Sequence, residues 1–136
     1  MQKPTLFLAA VLLVSCASAK MTPLAEIPKL TSLEDVMDNQ ATAADPQFKK
    51  IGQAKFDDAE LAAMIQASER LQTTSLKSKD FSKTMKSPPD FEALAQKLND
   101  KAKALGAGAA AKDAAAINAA LTEMKATCKE CHSKFR

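Results

Sequence analysis

The sequence predicts an all-α protein, an up-down-up-down four-helix bundle, on three observations. Four stretches place apolar residues at steps of three and four, the period of a helix with one buried face. Composition agrees: aromatics are 4%, Trp and Tyr are absent and Gly is only 3, while Ala, Leu, Lys, Met and Gln recur. Such residues favour helix and leave few β-branched or aromatic side chains for a sheet. Breaker signals separate the stretches, with short connections and one longer polar crossover, as antiparallel neighbours require. At 136 residues the chain is long enough for one core and not for two.

Residues 20–30 (KMTPLAEIPKL), with Pro23 and Pro28, read as an extended lead-in to a domain over 31–136. Thr31-Ser32-Leu33-Glu34 has capping-box spacing, with Thr31 as cap and Glu34 reaching back. Leu33, Val36, Met37, Ala44, Phe48 and Ile51 then share one helical face. Asp45-Pro46 predicts a kink or short break there, because proline lacks a backbone donor and clashes with the preceding turn. Asp57-Asp58-Ala59-Glu60 caps a second helix, whose face is Leu61, Met64, Ile65 and Leu71. Thr73 to Ser87, carrying Lys77, Lys79, Lys83 and Lys86, reads as the polar crossover loop.

Ser87-Pro88-Pro89-Asp90 starts the third helix, with Ser as cap and Pro at the first helical position. Its stripe is Phe91, Leu94, Leu98, Ala102 and Leu105, and Gly106 and Gly108 are expected to end it. The fourth helix runs from about Asp113. Ile117, Leu121, Met124, Cys128, Cys131 and Phe135 advance by 4, 3, 4, 3 and 4, so both cysteines continue the apolar seam. His132 lies one turn beyond Cys128 on nearly the same face.

The N-terminus reads as a targeting segment. Lys3, the apolar run Leu6 to Val14 and the small residues Ala17-Ser18-Ala19 predict a signal peptide over 1–19, with no mature membrane span. Leu13-Val14-Ser15-Cys16 offers an alternative, a lipoprotein signal over 1–15 with Cys16 lipidated. Either way the expected destination is the periplasm. Charge adds little: the formal value is +3, and seventeen Lys against only Arg70 and Arg136 form no Arg-rich or aromatic stripe of the kind nucleic acid requires.

Export sharpens the question posed by Cys128 and Cys131. Exported thiols three residues apart must be oxidised, metal-bound or covalently consumed. Cys128-Lys129-Glu130-Cys131-His132 is the signature of c-type haem attachment. Two thiols must add to vinyl groups on adjacent pyrroles, and one helical turn sets sulfurs at about that separation. The histidine directly after then projects beneath the macrocycle, where its imidazole can bind iron. A redox dithiol would want a βαβ context and a helix N-terminus, and structural zinc would want four ligands, for which the chain has no second Cys/His pair. A chance match leaves the exported thiols unexplained.

The ending Cys-Lys-x-Cys-His-x-x-Phe-Arg, on a helical bundle with its motif at the C-terminus, resembles the class II c-type cytochromes, the group containing the cytochromes c prime. The resemblance covers Thr31 to Arg136. It implies one covalent haem c per chain, thioethers at Cys128 and Cys131, and His132 as proximal ligand, with the haem seated among the helices near one end. Class I cytochromes c carry the motif near the N-terminus, so its position argues against them.

With no second histidine, bis-His ligation within the chain is excluded. Relatives either leave the sixth iron position empty behind an apolar first-helix side chain or fill it with a first-helix methionine. Met37 is the expected ligand; the bland reading is core filler. Met64 is the second choice, Met124 shares a helix with His132 and is geometrically poor, and Met85 falls in the crossover. Many relatives carry an arginine one turn before the methionine that pairs with a haem propionate; Leu33 stands there, and Lys29 is the candidate substitute. Lys125, Lys129, Lys134 and Arg136 suggest a basic rim for an acidic redox partner, or a solvated helix end whose cations suit the dipole. The first expectation is an electron carrier, not an enzyme. The alternatives are a five-coordinate NO- or CO-binding protein and a haem-free helical interaction protein. A homodimer through the first two helices is a further expectation.

Overall fold

The computed structural model describes residues 21–136, and the signal readings over 1–19, Cys16 and Lys20 lie outside the described residues. Four long helices form the bundle: α1 (Leu33–Phe48), α2 (Asp58–Ser78), α3 (Pro88–Ala110) and α4 (Ala114–Phe135). No strand occurs among the described residues, and no described helix is long and apolar enough to cross a membrane.

The helix starts follow local chemistry. Asp57 forms a complete capping box, accepting from the Glu60 N–H at 2.8 Å while Glu60 accepts from the Asp57 N–H at 3.1 Å. Asp113 caps α4 by accepting from the N–H groups of Ala115 and Ala116, both at 3.0 Å. Ser87 sits at the N-cap of α3 without a side-chain bond, and Pro88 removes one orphan donor outright. At α1 the cap is Ser32, which accepts from Asp35 N–H at 3.3 Å, so the Thr31–Glu34 box is not formed.

Other departures have physical causes. The lead-in is a 3₁₀ turn over Leu24–Lys29 because Ile27 drives it inward, fully buried against the bundle. Pro46 does not break α1 midway. It lies in the last turn, the helix stops at Phe48, and Ile51 packs on the core from the turn beyond. That turn is held by Gly52, at φ 93, whose N–H donates to Asn118 Oδ1 of α4 at 2.6 Å.

The crossover is mostly helical. α2 continues to Ser78 and a 3₁₀ segment follows over Lys79–Thr84. The hydroxyls of Thr73 and Thr74 donate back to the Glu69 and Arg70 carbonyls at 3.0 and 2.9 Å. Small buried polar residues also let α3 approach closely: Asn99 Nδ2 donates to the Gln72 carbonyl and to Ser75 Oγ, and Ser68 Oγ donates to the Ala102 carbonyl at 2.7 Å.

Gly106 and Gly108 do not end α3. Gly106 lies against α2, where an added Cβ would stand 2.5 Å from Ser68 Oγ. The true stop is Lys112 at φ 55, with Asp113 N–H donating to the Gly108 carbonyl at 2.9 Å, a Schellman closure built on lysine. Topology is therefore up-down-up-down. The core runs through Leu61, Met64, Leu71, Leu98, Leu105, Ile117, Leu121 and Met124. The α2–α3 interface is the most extensive, and α1 meets α4 only sparsely.

Candidate haem cleft

Sparse α1–α4 packing opens a cleft where α1 begins and α4 ends. Its inner part is lined by Met37 and Gln40 of α1, Phe91, Leu94 and Leu98 of α3, and Thr127, Cys128, Cys131 and His132 of α4. It continues into an outer part of about 550 Å³, lined by Leu33, Glu34, Met37, Asp38 and Ala41 on the α1 side and Cys131, His132, Phe135 and Arg136 on the α4 side. Met37, Phe91, Cys131 and His132 line both parts. The cleft thus brings together Cys128, Cys131, His132 and Met37.

The last turns of α4 are fixed from α3. Phe135 meets Phe91 edge-on, ring centroids 5.4 Å apart at 89°. Lys97 of α3 donates to Glu130 at 3.2 Å, and Lys134 pairs with the same carboxylate at 3.4 Å. The Lys97 hydrogen bond, with that from Lys134, holds Glu130 below the usual carboxylate range. These contacts hold the turn that carries His132.

Both cysteines are half-buried and unpaired by disulfide. Burial pushes the Cys128 thiol up to about 11, with Cys131 and Asp45 adding to the rise. Burial also raises Cys131, Glu130 adding and Lys134 opposing. In the haem-free chain, iodoacetamide at pH 8 is expected to modify Cys128 about tenfold or more slower than a free peptide thiol, since the thiolate is the nucleophile. Mapping the carboxamidomethyl group by peptide mass against time checks this, and the rate should climb as pH rises toward 11.

Other expectations are redrawn by placement. Met64 and Met124 are fully buried core residues and line neither part of the cleft. Met85, from the end of the crossover, does line the outer cleft, which its loop-like sequence context concealed. Lys29 is not at the cleft: it pairs with Glu26 at 2.9 Å. Arg70 is committed elsewhere, donating to the Thr22 carbonyl at 2.6 Å and to Asn39 Oδ1 at 3.0 Å. The arginine among the cleft's lining residues is Arg136. Phe91 and Phe135 were legible as seam residues but their edge-on pairing was not, and Gln40 had no signal beyond its place one turn after Met37.

The residues present suit a haem. The outer volume lies in the roughly 300–1,000 Å³ range of cofactor sites. Phe91 gives both parts an apolar wall and Leu94 and Leu98 line the inner part, whose own space is about 30 Å³. Cys131 borders both parts and Cys128 the inner one, and an imidazole and a thioether approach from different helices. Among the described residues no three His, Cys, Asp or Glu side chains converge on a bare metal ion.

Residues 33–136 match the family described as Cytochrome C'. No curated protein and no solved structure matches the chain. The chain therefore belongs to the cytochrome c′ family, class II c-type cytochromes that carry covalently attached haem c in a helical bundle.

Proposed function

We propose that this chain is an exported, periplasmic electron carrier in which Cys128 and Cys131 hold haem c by thioether bonds and His132 and Met37 bind the iron. The observation that carries the reading is that Met37 and His132 line both parts of one cleft from α1 and α4. Bound haem supplies a one-electron ferric/ferrous couple. The protein's part is to hold still. Cys128 and Cys131 tether from consecutive turns of α4, and the imidazole and thioether keep their places on helices locked by the α2–α3 core. Phe91, Leu94 and Leu98 exclude water from the inner cleft, which favours the less charged ferrous state, as does a neutral thioether. With its single histidine on iron, the chain keeps no imidazole for acid–base catalysis. Members of the family are typically periplasmic and often dimeric. The exposed Leu24 and Leu76 beside a groove along α2 suit a homodimer.

The test is the absorption spectrum of the purified holoprotein, oxidised and reduced. Sharp low-spin bands with a methionine-to-iron charge-transfer feature are expected, and Met37→Ala should abolish that feature and give high-spin bands. A second reading, NO or CO binding with Met37 only packing, is favoured by Leu33 and Ala41, apolar neighbours of Met37 on an α1 wall that also carries Glu34 and Asp38. Broad high-spin bands in the unmodified protein, with ready CO binding, would establish it instead.

A further inference from the structure

The charges at the cleft mouth are sorted by sign onto facing elements. On the α1 side Glu34 and Asp38 line the cleft and are exposed. On the other side stands exposed Arg136, and the crossover adds exposed Lys83 and Lys86, which flank the lining residue Met85 in the chain. None of these five charged side chains is in an ion pair among the described residues. Lys134, by contrast, is engaged by Glu130. A uniformly basic rim is therefore not what surrounds the cleft.

Helix dipoles oppose this pattern without cancelling it. The α1 N-terminus contributes about +0.5 charge and the α4 C-terminus about −0.5. Glu34 and Asp38 put two full negative charges on the first side. On the second, Lys83, Lys86 and Arg136 stand against exposed Asp90 and Glu92, which flank the lining residue Phe91, and leave a smaller positive excess. The side chains win on both sides.

We propose that the cleft mouth docks its redox partner through two facing rims of opposite charge, acidic on α1 and basic on the crossover and the end of α4. The partner that fits is a redox protein whose own docking face carries both signs, its acids meeting Lys83, Lys86 and Arg136 and its bases meeting Glu34 and Asp38. Such a pairing fixes the orientation of the complex, whereas a ring of lysines would only attract. The inference rests on the electron-carrier reading and names the partner's chemistry.

Small oxidants of either sign test it on the reduced holoprotein by stopped flow. One electron leaves ferrous haem and reduces either anionic hexacyanoferrate(III) to hexacyanoferrate(II) or cationic tris(phenanthroline)cobalt(III) to its cobalt(II) form. Both rates are expected to fall as ionic strength rises, because each ion has its own attracting rim. Glu34→Gln with Asp38→Asn should slow the cobalt reagent about threefold or more at low salt without slowing hexacyanoferrate. Lys83→Gln with Lys86→Gln should slow hexacyanoferrate by a similar factor and spare the cobalt reagent. A cobalt rate that rises with salt, or variants that leave both reagents unchanged or slow both equally, would overturn the proposal. Loss of the electron-carrier reading shows differently: a high-spin, CO-binding spectrum of the unmodified holoprotein rejects it whatever the salt dependence of these rates.

Discussion

A Cys128→Ala, Cys131→Ala variant, produced with working c-type maturation, is expected to show the mass of the bare polypeptide after denaturation. Each thiol adds across one vinyl group, its sulfur joining one carbon and its proton the other, so no electron is gained or lost. On the proposed attachment, replacing both removes every sulfur–carbon link, while His132 would remain able to hold iron. The native absorption spectrum is therefore a poor criterion, and denatured mass is a sharp one. Either single variant should retain haem through one bond. Cys131 lines both parts of the cleft whereas Cys128 lines only the inner one, so loss of Cys131 should free the macrocycle more at the mouth. Without thioethers, haem stabilises the fold only by mass action, and Tm becomes dependent on haem concentration. A double variant that keeps haem through denaturation would place the attachment elsewhere and remove the basis of the proposed site.

What was legible in the sequence followed whether a feature was local. Asp57 and Asp113 act within their own first turns, so their caps could be read from adjacent residues. The stripe Phe91, Leu94, Leu98, Ala102 and Leu105 is buried throughout, because a 3.6 period states which face is apolar. The placement of Cys128, Cys131 and His132 along one cleft was legible for the same reason: they lie within little more than one helical turn. The unread features depend on a second helix. Thr74, Ser75 and Ser78 look like loop residues, yet α3 buries them and their hydroxyls bond back into α2. Met85 reaches the cleft only because the 3₁₀ segment before it turns the chain back toward α3. The sorting of charge at the mouth requires knowing that the first turns of α1 face the last turns of α4.

The same distinction decides what Gly106→Val should do. Local propensity alone makes glycine within a helix a liability, costing about 1 kcal/mol relative to Ala. The packing reverses the sign. A Cβ at this position would stand 2.5 Å from Ser68 Oγ and 3.2 Å from Ser68 Cβ, so rotating the hydroxyl relieves only the first clash. That rotation also abandons the bond to the Ala102 carbonyl, contributing about 1 kcal/mol. The remaining overlap and the valine methyls must push α2 and α3 apart in the bundle's largest interface, at about 1–3 kcal/mol of overpacking. Set against a helix-propensity gain of about 0.5 kcal/mol, these costs leave a net loss of about 1.5–3.5 kcal/mol, lowering Tm by on the order of 10 °C for a domain of this size. Adding Ser68→Gly to the Gly106→Val variant should recover part of it by removing both clashing atoms. Gly106 lies outside the cleft lining, so the holoprotein's spectrum should keep its band positions below the melting transition. Thermal denaturation followed at the helical circular-dichroism signal, alongside the visible bands, measures both. An unchanged or raised Tm would mean that α2 and α3 yield at this crossing, and that Gly106 is not the close-approach residue its geometry indicates.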